Sequence, residues 1–254
     1  MRRPDLAGLL TAAALVGTWE LLVRSGAVEF QYLPSPLAIA GGVRAAAASG
    51  DLAQDTLHTL GVAVLGWSAA AALGVAGGVA LGLSERAWRW SMASIEVVRA
   101  VPPITLVPLA LLLFGFSRRM ELIIVVFAGV WPVLINTIAG VRAVPVELHD
   151  VARTLRFSRR RTVARIVVPA AMPQVVVGLR LALSLALVLA IVAEMIGNPA
   201  GLGNALIRAQ QALQPELMFA YVVAIGLLGV ALNGAFRLLA ARVVPAPGGH
   251  EEPV

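Results

Sequence analysis

An all-α integral membrane protein with six spans is the fold class this sequence predicts, and three observations predict it. Hydrophobic residues make up 59% of the 254 and charged residues 13%, with a mean hydropathy of +0.86. A soluble domain of that length has no means of burying so much apolar surface. The apolar residues also gather into six runs of about 20, the length that crosses a bilayer as a helix. Finally, arginine concentrates in every second connection between those runs, which is how membrane helices are oriented.

The first run, 6–23, follows Arg2 and Arg3. No small-residue cleavage site comes after it, so it reads as an uncleaved anchor. With the outer linker that follows, it makes up residues 1–55. The second run, 56–83, carries Gly66, Ala70, Gly74, Gly78 and Gly82 at four-residue spacing. One face of that helix lacks bulk and permits close approach of a neighbour. The third, 97–116, contains Pro102, Pro103 and Pro108, so its first half cannot be a regular helix. Freed carbonyls are tolerated at that depth only beside protein or a water-filled cavity, which makes the proline pair a candidate gate element.

The fourth run is 122–141, the fifth 175–197 and the sixth 219–241. A membrane core, 56–242, thus encloses a polar loop at about 142–173, and a tail at 243–254 reads as disordered. Six spans put both termini on one side. With the N-terminus inside, the inner segments hold Arg2, Arg3, Arg86, Arg89, the seven arginines between Arg142 and Arg165, Arg237 and Arg242; the outer ones hold Arg24, Arg44, Arg118, Arg119 and Arg208. That bias places both termini and the polar loop in the cytoplasm. Arg118 and Arg119 run against it, partly balanced by Glu121.

Several chemistries are excluded or disfavoured by composition. There is no cysteine, hence no disulfide and no thiolate metal site. His58, His149 and His250 lie far apart at no ligand-like spacing, which argues against a metal role. All 20 basic residues are arginine. A phosphate-binding P-loop needs a lysine, so the chain has no nucleotide site and is not expected to be an enzyme. Nucleic-acid binding is remote for arginines confined between membrane spans.

The polar loop carries the strongest functional signal. Pro145 suits a first helical turn. Leu148, Val151, Ala152 and Leu155 then form one apolar stripe, with Glu147, Asp150, Arg153 and Thr154 opposite. Ser158 can cap a second helix, with Pro169 and Pro173 as its end. A helix–turn–helix outside the bilayer, with a greasy stripe flanked by charge, is built to meet something in water.

The spacing Asp150-Val151-Ala152, three residues, Arg156, nine residues, then Ile166 to Pro169 resembles the "EAA" loop of ABC-importer permeases. That pattern reads Glu-Ala-Ala, three residues, Gly, nine residues, Ile, any residue, Leu, Pro. Two positions depart from it: Asp150 stands for Glu, and Arg156 for Gly. If the turn needs positive φ, an arginine there is strained. The Leu33 to Pro36 element is similar to the nitrate, taurine and alkanesulfonate branch of these permeases. So are Arg99 with Pro102 and Pro103 leading to Pro108-Leu109 and Phe114-Gly115, Gly178-Leu179-Arg180, Ala193 to Ile196, and Gly201-Leu202-Gly203.

The resemblance implies a type I importer permease fold, with the loop as coupling helix. It implies Glu147, Asp150, Val151, Ala152, Arg153, Arg156, Ile166 and Pro169 as the ATPase contact, and an inner-membrane location. The expected partners are two ATP-binding subunits that carry the ATP-Mg, an extracytoplasmic solute-binding protein, and a second permease copy. No cofactor is expected in this chain, and the solute is expected to be a small anion such as a sulfonate or nitrate.

Within the fifth run, Arg180 and Glu194 stand roughly 21 Å apart along the axis on nearly one face. Neither is cheap against lipid, so that face should turn into the bundle. With Pro102 and Pro103 they are the candidate translocation and gating residues. The alternatives are a secondary transporter or channel, or a structural membrane subunit. The spans offer few polar residues at mid-depth for the former, and no clustered ligands for haem or iron–sulfur chemistry.

Overall fold

In a computed structural model, residues 6–26 and 32–243 are described; they are helical, with no strand among them. Helix α1 spans Leu6–Arg24 and α2 Pro36–Ser49. Helix α3 is Asp51–Gly82, α4 Glu85–Arg99, α5 Val107–Phe114 and α6 Arg118–Arg142. The remainder is α7 Val146–Thr154, α8 Arg159–Thr162, α9 Val168–Gly197, α10 Leu202–Gln211 and α11 Pro215–Val243. Among the described residues, Asp51–Gly82, Arg118–Arg142, Arg159–Gly197 and Pro215–Arg242 are each long and apolar enough to cross a membrane. Glu85–Arg99 and Pro103–Phe114 pass together as one broken span, bent by 74°.

The small-residue stripe of α3 decides the packing. A Cβ built on Gly74 would lie 2.6 Å from Val133 Cβ, and one on Gly78 2.5 Å from Thr137 Cβ. On Gly82 it would lie 2.8 Å from Val141, and Gly66 meets Val125 in the same way. The partner is α6, and each pair is 59 positions apart, so the two helices run parallel in fixed register. Helix α9 covers the other side of α6, antiparallel to it: Gly178 faces Pro132 and Asn136, Gly129 faces Ala182, and Gly140 faces Ala171. Without side chains at these points the backbones approach closely enough for dispersion to act over the whole length. Trp67 Nε1 donates to the Leu179 carbonyl at 2.9 Å, tying α3 directly to α9.

Three expectations are corrected. The third run is irregular in its first half, as its prolines require, but it breaks outright by 74° rather than continuing as one span over 97–116. Pro102 is held extended (φ −64°, ψ 122°) by the proline after it, and the chain restarts as a 3₁₀ turn, Pro103–Leu106, before the short α5. The polar loop also ends sooner than expected, because neither Pro169 nor Pro173 stops a helix. Arg159–Gly197 is continuous for 39 residues. A π turn at Val163–Val167, in which Val168 N–H reaches Val163 O, widens the coil just ahead of Pro169 and accommodates its ring. Third, the outer linker contains a helix, α2, capped by the Ser35 hydroxyl, and the core helix α3 begins at Asp51. Most of the expected tail, 244–254, lies outside the described residues.

Candidate functional site

Two sites lie at opposite ends of α6. At its C-terminal end Arg142 pairs with Glu85 at 2.6 Å and lies 3.8 Å over the Trp88 ring, joining α6 to the start of α4. Helix α7 follows. Ala152 is buried against the body, whereas Val146, Leu148, Val151 and Leu155 are 65%, 36%, 49% and 56% exposed. An isolated apolar stripe of that kind, outside the spans, costs solvation unless another surface covers it. Asp150 and Arg153 pair with each other at 3.1 Å and are both exposed; Glu147 is exposed as well.

The chain leaves α7 through a left-handed residue, and that residue is Arg156, with φ +49°. Arg156 N–H reaches Arg153 O at 2.9 Å and Phe157 N–H reaches Ala152 O at 2.9 Å. This is the helix C-terminal hydrogen-bond pattern that normally takes glycine. The turn therefore keeps positive φ with a residue that has a Cβ. Ser158 then caps the next helix, its hydroxyl accepting from Arg161 N–H at 3.4 Å. Ile166 is half-buried and Pro169 exposed.

At the other end, three helices bring polar side chains into the apolar interior. Glu194 on α9 is fully buried. Its Oε2 accepts from the Thr59 hydroxyl at 3.0 Å and from Gly203 N–H at 2.9 Å. Thr59 Oγ1 in turn accepts from Leu202 N–H at 3.0 Å, and Asp55 Oδ1 from Gly201 N–H at 3.1 Å. Asp55 also faces Arg208 at 3.7 Å. Side chains of α3 and α9 thus satisfy the first N–H groups of α10, which otherwise have no partner within their own helix. Gly201 (φ +95°) presses its Cα on the Glu194 carboxyl group, where any Cβ would collide.

Beside this clamp, His58 Nε2 lies 3.0 and 3.3 Å from the two oxygens of fully buried Glu121. Asn198 Oδ1 accepts from Ala200 N–H, which fixes the amide so that its Nδ2 donates to Glu121 Oε1. Arg118 Nη2 approaches His58 Nδ1 at 3.3 Å. A guanidinium only donates, so Nδ1 holds the lone pair and Nε2 the proton given to Glu121.

Of the residues singled out from sequence, Glu194 is buried among protein partners rather than facing open space. Arg180, expected on the same inward face, is exposed. Pro102 is exposed and Pro103 half-buried at the break before α5. Asp55, His58, Thr59, Glu121 and Asn198 were not anticipated. Asp55 and Thr59 had a visible signal: with Val62 and Gly66 they continue the buried face of α3 by helical spacing. Glu121 looked like a counter-charge for Arg118 and Arg119, and nothing in sequence joins it to His58.

A family profile described as the binding-protein-dependent transport system inner membrane component matches residues 63–245. The putative aliphatic sulfonates transport permease SsuC of Bacillus subtilis is 30% identical over 244 residues, covering 96% of this chain and 88% of the relative. The bicarbonate transport permease CmpB of Synechococcus elongatus is 29% identical over 240 residues, covering 89% and 85%. The inward-facing methionine ABC transporter MetNI superposes with a TM-score of 0.69 over 78% of this chain and 98% of that one, at 15% identity. That last likeness concerns the fold alone. Taken with the profile and the relatives, it makes this chain a member of the family of multi-pass permease subunits of ABC importers.

Proposed function

We propose that this permease forms, with a second copy of itself, the pathway for a small oxyanion, and is driven by ATPase subunits docked on α7. The observation that carries the coupling half is the exposed stripe of Leu148, Val151 and Leu155, which nothing else in the described chain covers. Glu147, Asp150 and Arg153 frame it with charge, and the turn at Arg156 fixes its angle to α9. Both termini and α7 face the cytoplasm in this reading, supported by the arginine bias. ATP binding would close the ATPase pair, draw the two coupling helices together and open the pathway outward. An extracytoplasmic binding protein would deliver the solute.

The oxyanion assignment rests on relatives named for sulfonates, nitrate and bicarbonate. Arg180 supports it: a cation exposed within α9, it is costly against lipid and suited to a pathway lined by a second copy. Because the chain has no cysteine, single cysteines report cleanly. Cysteine at Asp150 or Arg153 should cross-link to the ATPase in the assembled complex. Absence of both cross-links in an actively transporting complex refutes the coupling assignment.

A further inference from the structure

His58, Glu121 and Glu194, from α3, α6 and α9, each offer a ligand atom within 4.8 Å of the others. Two further observations make this more than a cluster of acids. Glu194 Oε1 is buried and has no hydrogen-bond partner, although its sister oxygen has two. Two fully buried carboxylates, Glu121 and Glu194, also meet in this pocket, where low-dielectric surroundings penalise like charges heavily.

We propose that His58, Glu121 and Glu194 bind a first-row divalent cation of the Zn²⁺ or Mn²⁺ class. An imidazole nitrogen with two carboxylates is the donor set such ions favour over Ca²⁺ or Mg²⁺. The spacing fits. Two ligands bonded at about 2.1 Å and separated by 90–109° at the metal stand about 3.0–3.4 Å apart. His58 Nε2 lies 3.0 and 3.3 Å from the Glu121 oxygens. The ion takes the place of the Nε2 proton, which moves to Nδ1, and neutralises both carboxylates. Arg118, being exposed, turns aside, since two donors cannot face one another. In the ion's absence Arg118 therefore holds the wrong tautomer and competes with it.

The test uses the assembled permease–ATPase complex with a tag free of histidine, in a His149→Ala, His250→Ala background. After chelation and desalting it is titrated with ZnCl₂ and separately with MnCl₂, and bound metal is counted by mass spectrometry. We expect about one ion per permease chain at saturation, with His58→Asn and Glu194→Gln each weakening binding more than about tenfold. Arg118→Gln, whose carbonyl can accept from Nδ1–H, should tighten it. Gel filtration of each complex confirms assembly, so loss of metal is not loss of fold. Binding below about a tenth of an ion per chain, undiminished binding in both His58→Asn and Glu194→Gln, or unchanged affinity in Arg118→Gln overturns the proposal. Because the readout is metal content, it stands or falls separately from the transport assignment.

Discussion

Replacing Thr59 by valine tests the clamp at the head of α10 with almost no change of shape. Thr59 is fully buried, and its hydroxyl donates to Glu194 Oε2 while accepting from Leu202 N–H, both at 3.0 Å. Valine fills the same volume and does neither. The Leu202 N–H and the Glu194 oxygen each lose a partner in a place water does not reach, at a cost of about 1–3 kcal/mol apiece. The sum, roughly 2–6 kcal/mol, corresponds to a fall of roughly 5–20 °C in melting temperature for a chain of this size. The assay is thermal unfolding of the purified complex beside Thr59→Ser, which keeps the hydroxyl and should remain near wild type. Hydrogen exchange adds a local readout: the Leu202 amide should lose protection in the valine variant and retain it in the serine one. A valine variant melting within about 1 °C of wild type, with Leu202 still protected, would refute the reasoning.

The other tests are simpler. Arg156→Gly removes a Cβ from a left-handed turn, so α7 should be stabilised by about 0.5–1 kcal/mol, read as slower exchange of its amides. If Arg156 instead meets an acid on the ATPase, stimulation of ATP hydrolysis falls while assembly persists. Gly78→Val puts its Cβ 2.5 Å from Thr137 Cβ, so it should lower the melting temperature by more than about 5 °C or abolish assembly. Gly61, whose added Cβ would meet nothing within 4 Å, should accept alanine without such loss. Glu194→Gln and Glu194→Ala should both assemble with reduced uptake, the alanine variant the less stable because Gly203 N–H and Thr59 lose their acceptor. Wild-type uptake in both removes Glu194 from any role in gating.

Where sequence reading succeeded, a local physical signal existed. The glycine stripe announced a close helix contact, and the stripe of α7 announced an uncovered face. The glycine position of the motif announced a positive φ that Arg156 does adopt. It went astray where tertiary context overrides a local rule. Pro169 looks like a helix stop until a π turn absorbs it, and Pro102 with Pro103 looks like a kink rather than a 74° break. The polar cluster was least legible. Its members come from three helices, so His58 and Glu121 are 63 positions apart and Thr59 and Glu194 are 135 apart. Only the register of α3 on α6 and α9 joins them, and side-chain spacing along one helix does not encode that register.

The parallel register of α3 on α6 has a mechanical meaning. Glu121 and Arg142 are about 32 Å apart along one helix axis. Pro132 interrupts that helix midway, where a free-standing rod would flex. The contacts of Gly66 with Val125, and of Gly74, Gly78 and Gly82 with Val133, Thr137 and Val141, straddle the interruption and splint it. A splinted rod tilts rather than bends. A tilt of about 5° about its middle moves each end by about 1.4 Å, enough to carry a hydrogen bond at 3.0 Å out of range. A push delivered beneath Arg142 would then be felt as a displacement at Glu121, with nothing between them needing to deform.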